Sequence, residues 1–524
     1  MILQIGKKKK EVNSAKKPLK IEWILLIICI MLFSCFYYYT DLPFSSASGL
    51  RLWNCIADGE LPMFYNSWYT GVENSALPNG SAGGSYDIMI YVIFALYNFP
   101  LWIWEKITGL SFLLFYPLRV YTKGIIWLFS GVSAYFIYKI ALLCKVPKEN
   151  ALWAPVIFLS SGIFFAAEVT IGGYDIISVA FTLLGIYGYL KKDNKCFMAS
   201  FAVAIATKLF AFWIFVPLLL LKEKKIWKLI VNGALSISLI VIPKIYFAVA
   251  SKHRMIEQIQ QMAVETSGDS ASAATADVSG ATAMVNDVIA HSDIVNNSLF
   301  PTDYTATYTF FSIKNLPLVF VGMFAIWICC YLIRRELKER EVIYLCGLVM
   351  GIFITTVKIH PYWGILLVPY LALLVVMNPL RIKDNLLLEA LISIGYVINK
   401  AILYPWCFGM GQIERMVGPN YVFGYDRETS NPGGYGLERL VFKLSEKIGI
   451  EETNIAQMFS ALFVVAIVMF FCYNWPSKVA ESEQCIGEIE EFRKGMRFRF
   501  LFALFVAMLP VIGLLEYVSP FYWG

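Results

Sequence analysis

Charge is the first thing this sequence is short of: only 16% of its 524 residues are Asp, Glu, Lys or Arg, against 58% hydrophobic. A soluble globular chain must cover its surface with polar groups, so this balance excludes that class. Histidine is nearly missing, with His253, His291 and His360 the full set. Residues so scattered make no zinc site. The eleven cysteines contain no Cys-x-x-Cys pair. Most lie inside apolar runs, such as Cys29, Cys35, Cys329, Cys330, Cys346 and Cys472, and read as small buried hydrophobes. Only Cys55 and Cys407 fall in segments expected outside, which leaves one disulfide between them open. No small-residue cleavage site follows the first apolar run, Trp23–Tyr39, so a retained helix is expected rather than a signal peptide. Nor is there an internal repeat, which counts against a symmetric transporter.

What is present is a series of apolar runs of roughly 17–25 residues, the length a helix needs to cross a bilayer. The net charge of +6 comes from short Lys/Arg clusters beside those runs, where they set orientation rather than bind nucleic acid. Lys7 to Lys10, Lys16, Lys17 and Lys20 precede the first run and put the N-terminus in the cytoplasm. The expected organisation is a basic N-terminus over 1–22, a core over 23–250 with a first external loop over 40–111, a long external loop over 251–315, and a C-terminal transmembrane module over 316–524 with an external loop at 404–454. Within the long loop, Thr266–Ala283 is small, polar and of low complexity.

Phe197–Leu221 carries lysines on both flanks and Lys208 near its middle. A charge in lipid costs roughly 2.5–3.5 kcal/mol or more. A hairpin of two half-helices broken near Thr207 and Lys208 avoids both problems, giving about eleven full spans plus the hairpin by the positive-inside rule. The rival topology makes Ile88–Ile107 and Phe197–Leu221 single spans and exposes Lys145, Lys148, Lys191 and Lys192 outside.

Three segments carry candidate chemistry at one membrane surface. Asp41 stands where the first span leaves the membrane, followed by Arg51 and by the aromatics Trp53, Phe64, Tyr65, Trp68 and Tyr69 of an interfacial layer. A carboxylate there also serves as a helix cap. The turn Thr170–Asp175 (TIGGYD), with Glu168 just before it, puts Tyr174 and Asp175 at the start of the next helix. Its two glycines permit a tight turn and close approach of a ligand, although Asp175 equally suits an N-cap. In Val357–Tyr370 (VKIHPYWGILLVPY), Lys358 and His360 suit an anionic head group and Pro361 the first turn of a helix; snorkelling of Lys358 is the alternative. Carboxylates and cations gathered beside lipid provide a base for an attacking hydroxyl and charge for a phosphate leaving group. Two carboxylates also hold a divalent ion through oxygen.

The chain resembles the GT-C superfamily of membrane glycosyltransferases in four places. These are Asp41 with the run Gly59–Tyr65 (GELPMFY), the turn Gly172–Asp175, the segment Asp175–Leu221 with Lys208 and Pro217, and the His360–Pro361 boundary. The resemblance implies an all-α polytopic membrane fold. It implies Asp41 as catalytic carboxylate, Asp175 as a second acidic site residue, and Lys208, Lys358 and His360 as ligands of the lipid phosphate. Arg51, Tyr174 and Glu168 complete the expected substrate contacts. The expected activity is inverting transfer of a sugar from polyprenyl phosphate or diphosphate to a glycan, lipid or protein acceptor on the non-cytoplasmic face. No cofactor is required; Mg or Mn between Asp41 and Asp175 is the metal the pair would take. Two departures leave the acceptor open: Leu42 follows Asp41 where protein O-mannosyltransferases have Asp-Glu, and the WWD-type signature of oligosaccharyltransferases is absent. A transporter or flippase of a lipid-linked saccharide, or a non-catalytic polysaccharide-assembly protein, needs similar head-group contacts. Arg415 and Tyr425–Glu428 (YDRE) would serve acceptor binding in any of these, or be solvated loop charge.

Overall fold

The computed structural model describes residues 20–38, 41–65, 86–267, 312–313, 316–409, 411–413, 437–478 and 486–518. It is all-helical apart from a two-residue antiparallel ladder pairing Ser312–Ile313 with Leu316–Pro317. The helices are α1 (Lys20–Phe36), α2 (Asp41–Ala57), α3 (Ile88–Tyr97), α4 (Phe99–Thr108), α5 (Tyr116–Leu143), α6 (Lys148–Ala151), α7 (Trp153–Leu159), α8 (Gly162–Phe164), α9 (Asp175–Leu190), α10 (Asn194–Thr207), α11 (Ala211–Lys222) and α12 (Ile226–Ser267). They continue with α13 (Leu318–Leu332), α14 (Glu339–Thr356), α15 (Val368–Met377), α16 (Ile382–Leu403), α17 (Leu437–Ile448), α18 (Glu452–Tyr473) and α19 (Glu490–Val518). Among the described residues, five helices are long and apolar enough to cross a membrane, or up to seven if each of two bent pairs forms one span. Exposed Ile, Leu, Val, Met and Phe along α1, α12, α13 and α18 give the bundle an apolar outside, as a lipid bilayer requires and water does not.

Two helix pairs are bent. Residues Ile88–Tyr97 and Phe99–Thr108 meet at 66°, where Pro100 in the first turn of α4 cannot continue the preceding hydrogen-bond ladder. Lys148–Leu159 and Gly162–Ile171 meet at 42°, so the apolar run Ala151–Val169 is not one straight helix. Its second half ends in a π-helical segment, Phe165–Ile171. Helix α12 continues to Ser267, so the expected boundary at residue 250 falls inside a helix. Arg254 on this extension pairs with Glu60 of the first loop, its Nε lying 3.0 and 3.1 Å from the two carboxylate oxygens. Cys55 and Cys407 are both buried, and no disulfide joins them.

Helices α9 and α10 form an antiparallel hairpin whose register is set by small residues. Ser178 Oγ donates to Ala204 O at 3.0 Å, and Gly185 and Gly188 let Phe201 and Phe197 press directly onto the α9 backbone. The chain breaks after Thr207, and α11 turns back: Phe215 packs on Phe201 at 5.4 Å, and Lys222 Nζ reaches over Phe197 at 5.1 Å and Tyr189 at 5.7 Å. A single span over Phe197–Leu221 would separate Phe197 and Lys222 by the thickness of the bilayer. The contacts therefore favour the hairpin over the rival topology. With α10 at about 21 Å and α11 at about 18 Å, neither alone matches a hydrocarbon core of about 30 Å.

Basic turns gather at one end of the bundle. Lys192 pairs with Glu336 at 2.9 Å, Lys224 Nζ donates to Cys330 O at 2.7 Å, and Arg340 Nε donates to Cys144 O at 3.4 Å. The open end of the α9–α10 hairpin, with Asp175 and Lys208, lies at the other. Deep in the bundle, Arg499 of α19 meets Glu389 of α16, and Ser161 and Ser393 each donate to that carboxylate at 3.1 Å. Both charged groups are 3% exposed or less, and this network ties the last helix to the core.

Candidate functional site

The hairpin register decides where the first two site residues lie. Asp175 opens α9 and Lys208 closes α10, so antiparallel pairing brings them to the same level. Lys208 Nζ stands 3.1 Å from Asp175 Oδ1, an ion pair with Asp175 fully buried and Lys208 8% exposed. Burying two charges is costly unless they are paired and otherwise satisfied. Further compensation comes from aromatic faces: Lys208 Nζ lies 4.5 Å from the Tyr86 ring and 4.6 Å from the Tyr174 ring. Those rings meet edge to face at 5.6 Å. The ammonium therefore sits in a box of one carboxylate and two phenol rings, where its charge is held without water.

Tyr86 is positioned from the first loop, since Tyr65 OH donates to Tyr86 O at 2.9 Å and Tyr91 OH accepts from Tyr86 N at 3.1 Å. Tyr174 is fixed by its place in the Gly172–Gly173–Tyr174 turn and by Phe94, 5.8 Å away edge to face. Gly172 has φ +74°, a conformation that favours glycine. At Gly173 a Cβ would come within 2.8 Å of Tyr362 Cβ. The His-Pro segment thus packs directly on the turn that presents Asp175.

That segment is anchored by α16. Tyr396 OH contacts three backbone groups: the carbonyls of His360 at 3.1 Å and Pro361 at 2.9 Å, and Gly364 N at 2.9 Å. Lys400 Nζ donates to Ile359 O at 2.9 Å and lies 5.3 Å over the Tyr404 ring. His360 stacks on Tyr362 at 5.6 Å. Located between α14 and α15, outside the spanning helices, its imidazole is driven down to about 4 by burial and then by the positive charges of Lys208, Lys400 and Lys358. At neutral pH it is an uncharged hydrogen-bonding group, not the cation expected from the sequence. Lys358 is exposed, consistent with either head-group contact or snorkelling.

Glu168 lies in the π-helical segment, 3% exposed, and both its oxygens lack a hydrogen bond among the described residues. It faces the charges of Asp175 and of Lys123 on α5. Lys123 is 1% exposed and packs beneath the turn, with Nζ 3.7 Å from where a Gly172 Cβ would stand. The sequence reading missed Lys123 and Lys400. Both are cations inside apolar runs, the same signal that singled out Lys208.

Asp41 is the first residue of α2; its side chain lies outside the described residues, as do Arg415 and Tyr425–Glu428. The chain just before it is fixed: Tyr38 OH and Thr122 Oγ1 share a hydrogen bond at 3.0 Å, one residue from Lys123. Arg51 lies apart from the ion pair, buried, with Nη2 3.4 Å from Met63 O and its guanidinium 5.9 Å from the Phe64 ring centre. For a metal, Asp175 already faces an ammonium, and among the described residues no three His, Cys, Asp or Glu side chains gather into an ion-holding group. No protein-family model and no curated protein matches this chain.

Proposed function

We propose that this protein is a GT-C-like membrane glycosyltransferase that moves a sugar from polyprenyl phosphate or diphosphate to a glycan, lipid or protein acceptor on the non-cytoplasmic face. The observation that carries this reading is the convergence of Asp175, Lys208 and the His360–Tyr362 segment, from three distant parts of the chain, at the end of the bundle away from the basic turns. By the positive-inside rule that end faces away from the cytoplasm.

In the proposed reaction the acceptor hydroxyl gives its proton to the Asp41 carboxylate while its oxygen bonds to the anomeric carbon. The bond from that carbon to the phosphate oxygen breaks on the opposite face, and its electron pair leaves with the phosphate, inverting the centre. Lys208 and Lys358 offset the developing phosphate charge, and neutral His360 supplies a hydrogen bond. Asp175 keeps Lys208 charged and oriented. The reaction needs one base and no protein nucleophile, because phosphate is already a good leaving group.

Asp41→Asn is the decisive variant. Supplied with labelled polyprenyl-phosphate sugar and a cell extract containing acceptors, it should form product at least about 100-fold more slowly while still folding and binding lipid. Retained transfer removes Asp41 from the mechanism. The two bent helix pairs favour a second reading, a flippase built on discontinuous helices. Movement of the labelled lipid across the bilayer without covalent product would establish it instead.

A further inference from the structure

Two buried charge pairs in this protein are built differently. Glu389 and Arg499 touch, and two serine hydroxyls donate to one oxygen of the carboxylate. Glu168 faces the charge of Asp175 and, after it, that of Lys123. Among the described residues, neither Glu168 oxygen nor Lys123 Nζ has a hydrogen bond. Groups 3% and 1% exposed are normally saturated, because an unmet buried polar group costs about 1–3 kcal/mol and a charged one more. Glu168 also sits on a π-helical segment, an irregularity that recurs at functional sites.

We propose that Glu168 and Lys123 form the hydroxyl-binding site for the sugar of the lipid-linked donor, beneath the turn that presents Asp175. The inference rests on the glycosyltransferase reading and names the part of the substrate that this pair takes. A carboxylate accepts hydrogen bonds from sugar O–H groups, and an ammonium donates to sugar oxygens. Hydroxyls, being both donors and acceptors, satisfy both partners at once. A phosphate satisfies only the lysine and meets Glu168 as a like charge. The same sign argument sends phosphate to the His360 side, where Lys208, Lys358 and Lys400 all face one ring.

Binding of undecaprenyl phosphate and of its glucose, galactose, mannose and arabinose esters to the full chain in lipid nanodiscs, read by native mass spectrometry, tests this. Wild type should hold at least one sugar ester more tightly than the bare phosphate. Glu168→Gln and Lys123→Met should each weaken that ester by about tenfold or more, the equivalent of about 1.4 kcal/mol, and leave the bare phosphate unchanged. Lys208→Met should weaken both. If the two variants keep the preference for the ester, the inference falls and the glycosyltransferase reading stands. If wild type prefers no ester of this panel to the bare phosphate, the donor reading itself falls. A measurement on wild type alone guards against variants that do not fold: labelling of Glu168 by dicyclohexylcarbodiimide should be slowed by the preferred ester and not by the bare phosphate. Equal labelling under both conditions, or none at Glu168, overturns the proposal.

Discussion

His360 shows how position rather than residue type sets a side chain's chemistry. Stacked on Tyr362 and facing three lysines, its ring stays neutral down to about pH 4, whereas an unfolded histidine protonates near pH 6.5. The depressed native value means the unfolded chain binds the extra proton first as pH falls. Stability is therefore full above about pH 6.5 and declines toward pH 4, by on the order of 2 kcal/mol from this residue. Melting of wild type and His360→Gln in nanodiscs between pH 7.5 and 4.5 (about three units) should show a smaller acid loss in the variant. Equal losses would mean the ring is not held neutral. The sequence revealed this residue through its His-Pro boundary, but its charge depends on Lys208 and Lys400, which arrive from other helices. Lys123, Glu389 and Lys400 each broke an apolar run as Lys208 did, while Arg499 closed the charged segment before the last apolar run. They went unread because their partners lie far away along the chain, and only packing shows which buried charges are paired.

Among the elements, the α9–α10–α11 hairpin was the most legible. Lysines on both flanks and one in the middle permit few arrangements in lipid, and the break falls at 208–210. The bend between α3 and α4 was marked by Pro100, whereas the π-helical segment was not legible, because it depends on a local backbone choice that residue type does not announce. The turn before α9 sits between these cases: its Gly-Gly pair announced a close approach without saying to what. The neighbour is Tyr362, and a Cβ at position 173 would lie 2.8 Å from Tyr362 Cβ. Gly173→Ala should therefore push the His-Pro segment off the Asp175 turn and destabilise the protein by about 1–3 kcal/mol. Gly131→Ala is the matched control, since nothing lies within 4 Å of a Cβ there. Thermal unfolding of the two side by side checks the contact. If the Gly173→Ala protein proved as stable as its control, the turn and the segment would not be packed as described.

At the scale of the whole molecule, function depends on the two ends of the bundle facing different compartments. Contacts place the turns at Lys192, Lys222–Lys224 and Arg340 together, and Asp175, Lys208 and the His360 segment at the opposite end. By the positive-inside rule the first group would face the cytoplasm, and on the proposed function the site would then open on the other side, toward the lipid-linked donor. Lys195 and Lys358 are exposed at the two ends, so each can report its own compartment. With the native cysteines replaced by Ser or Ala, a membrane-impermeant maleimide should label Lys358→Cys in intact cells. It should label Lys195→Cys only after permeabilisation. The reverse pattern would turn the site toward the cytoplasm and remove the extracytoplasmic reaction. Labelling of both from one side would mean that the hairpin's open end and its basic turn do not lie across the bilayer from one another, and the charge-based orientation would fail with it.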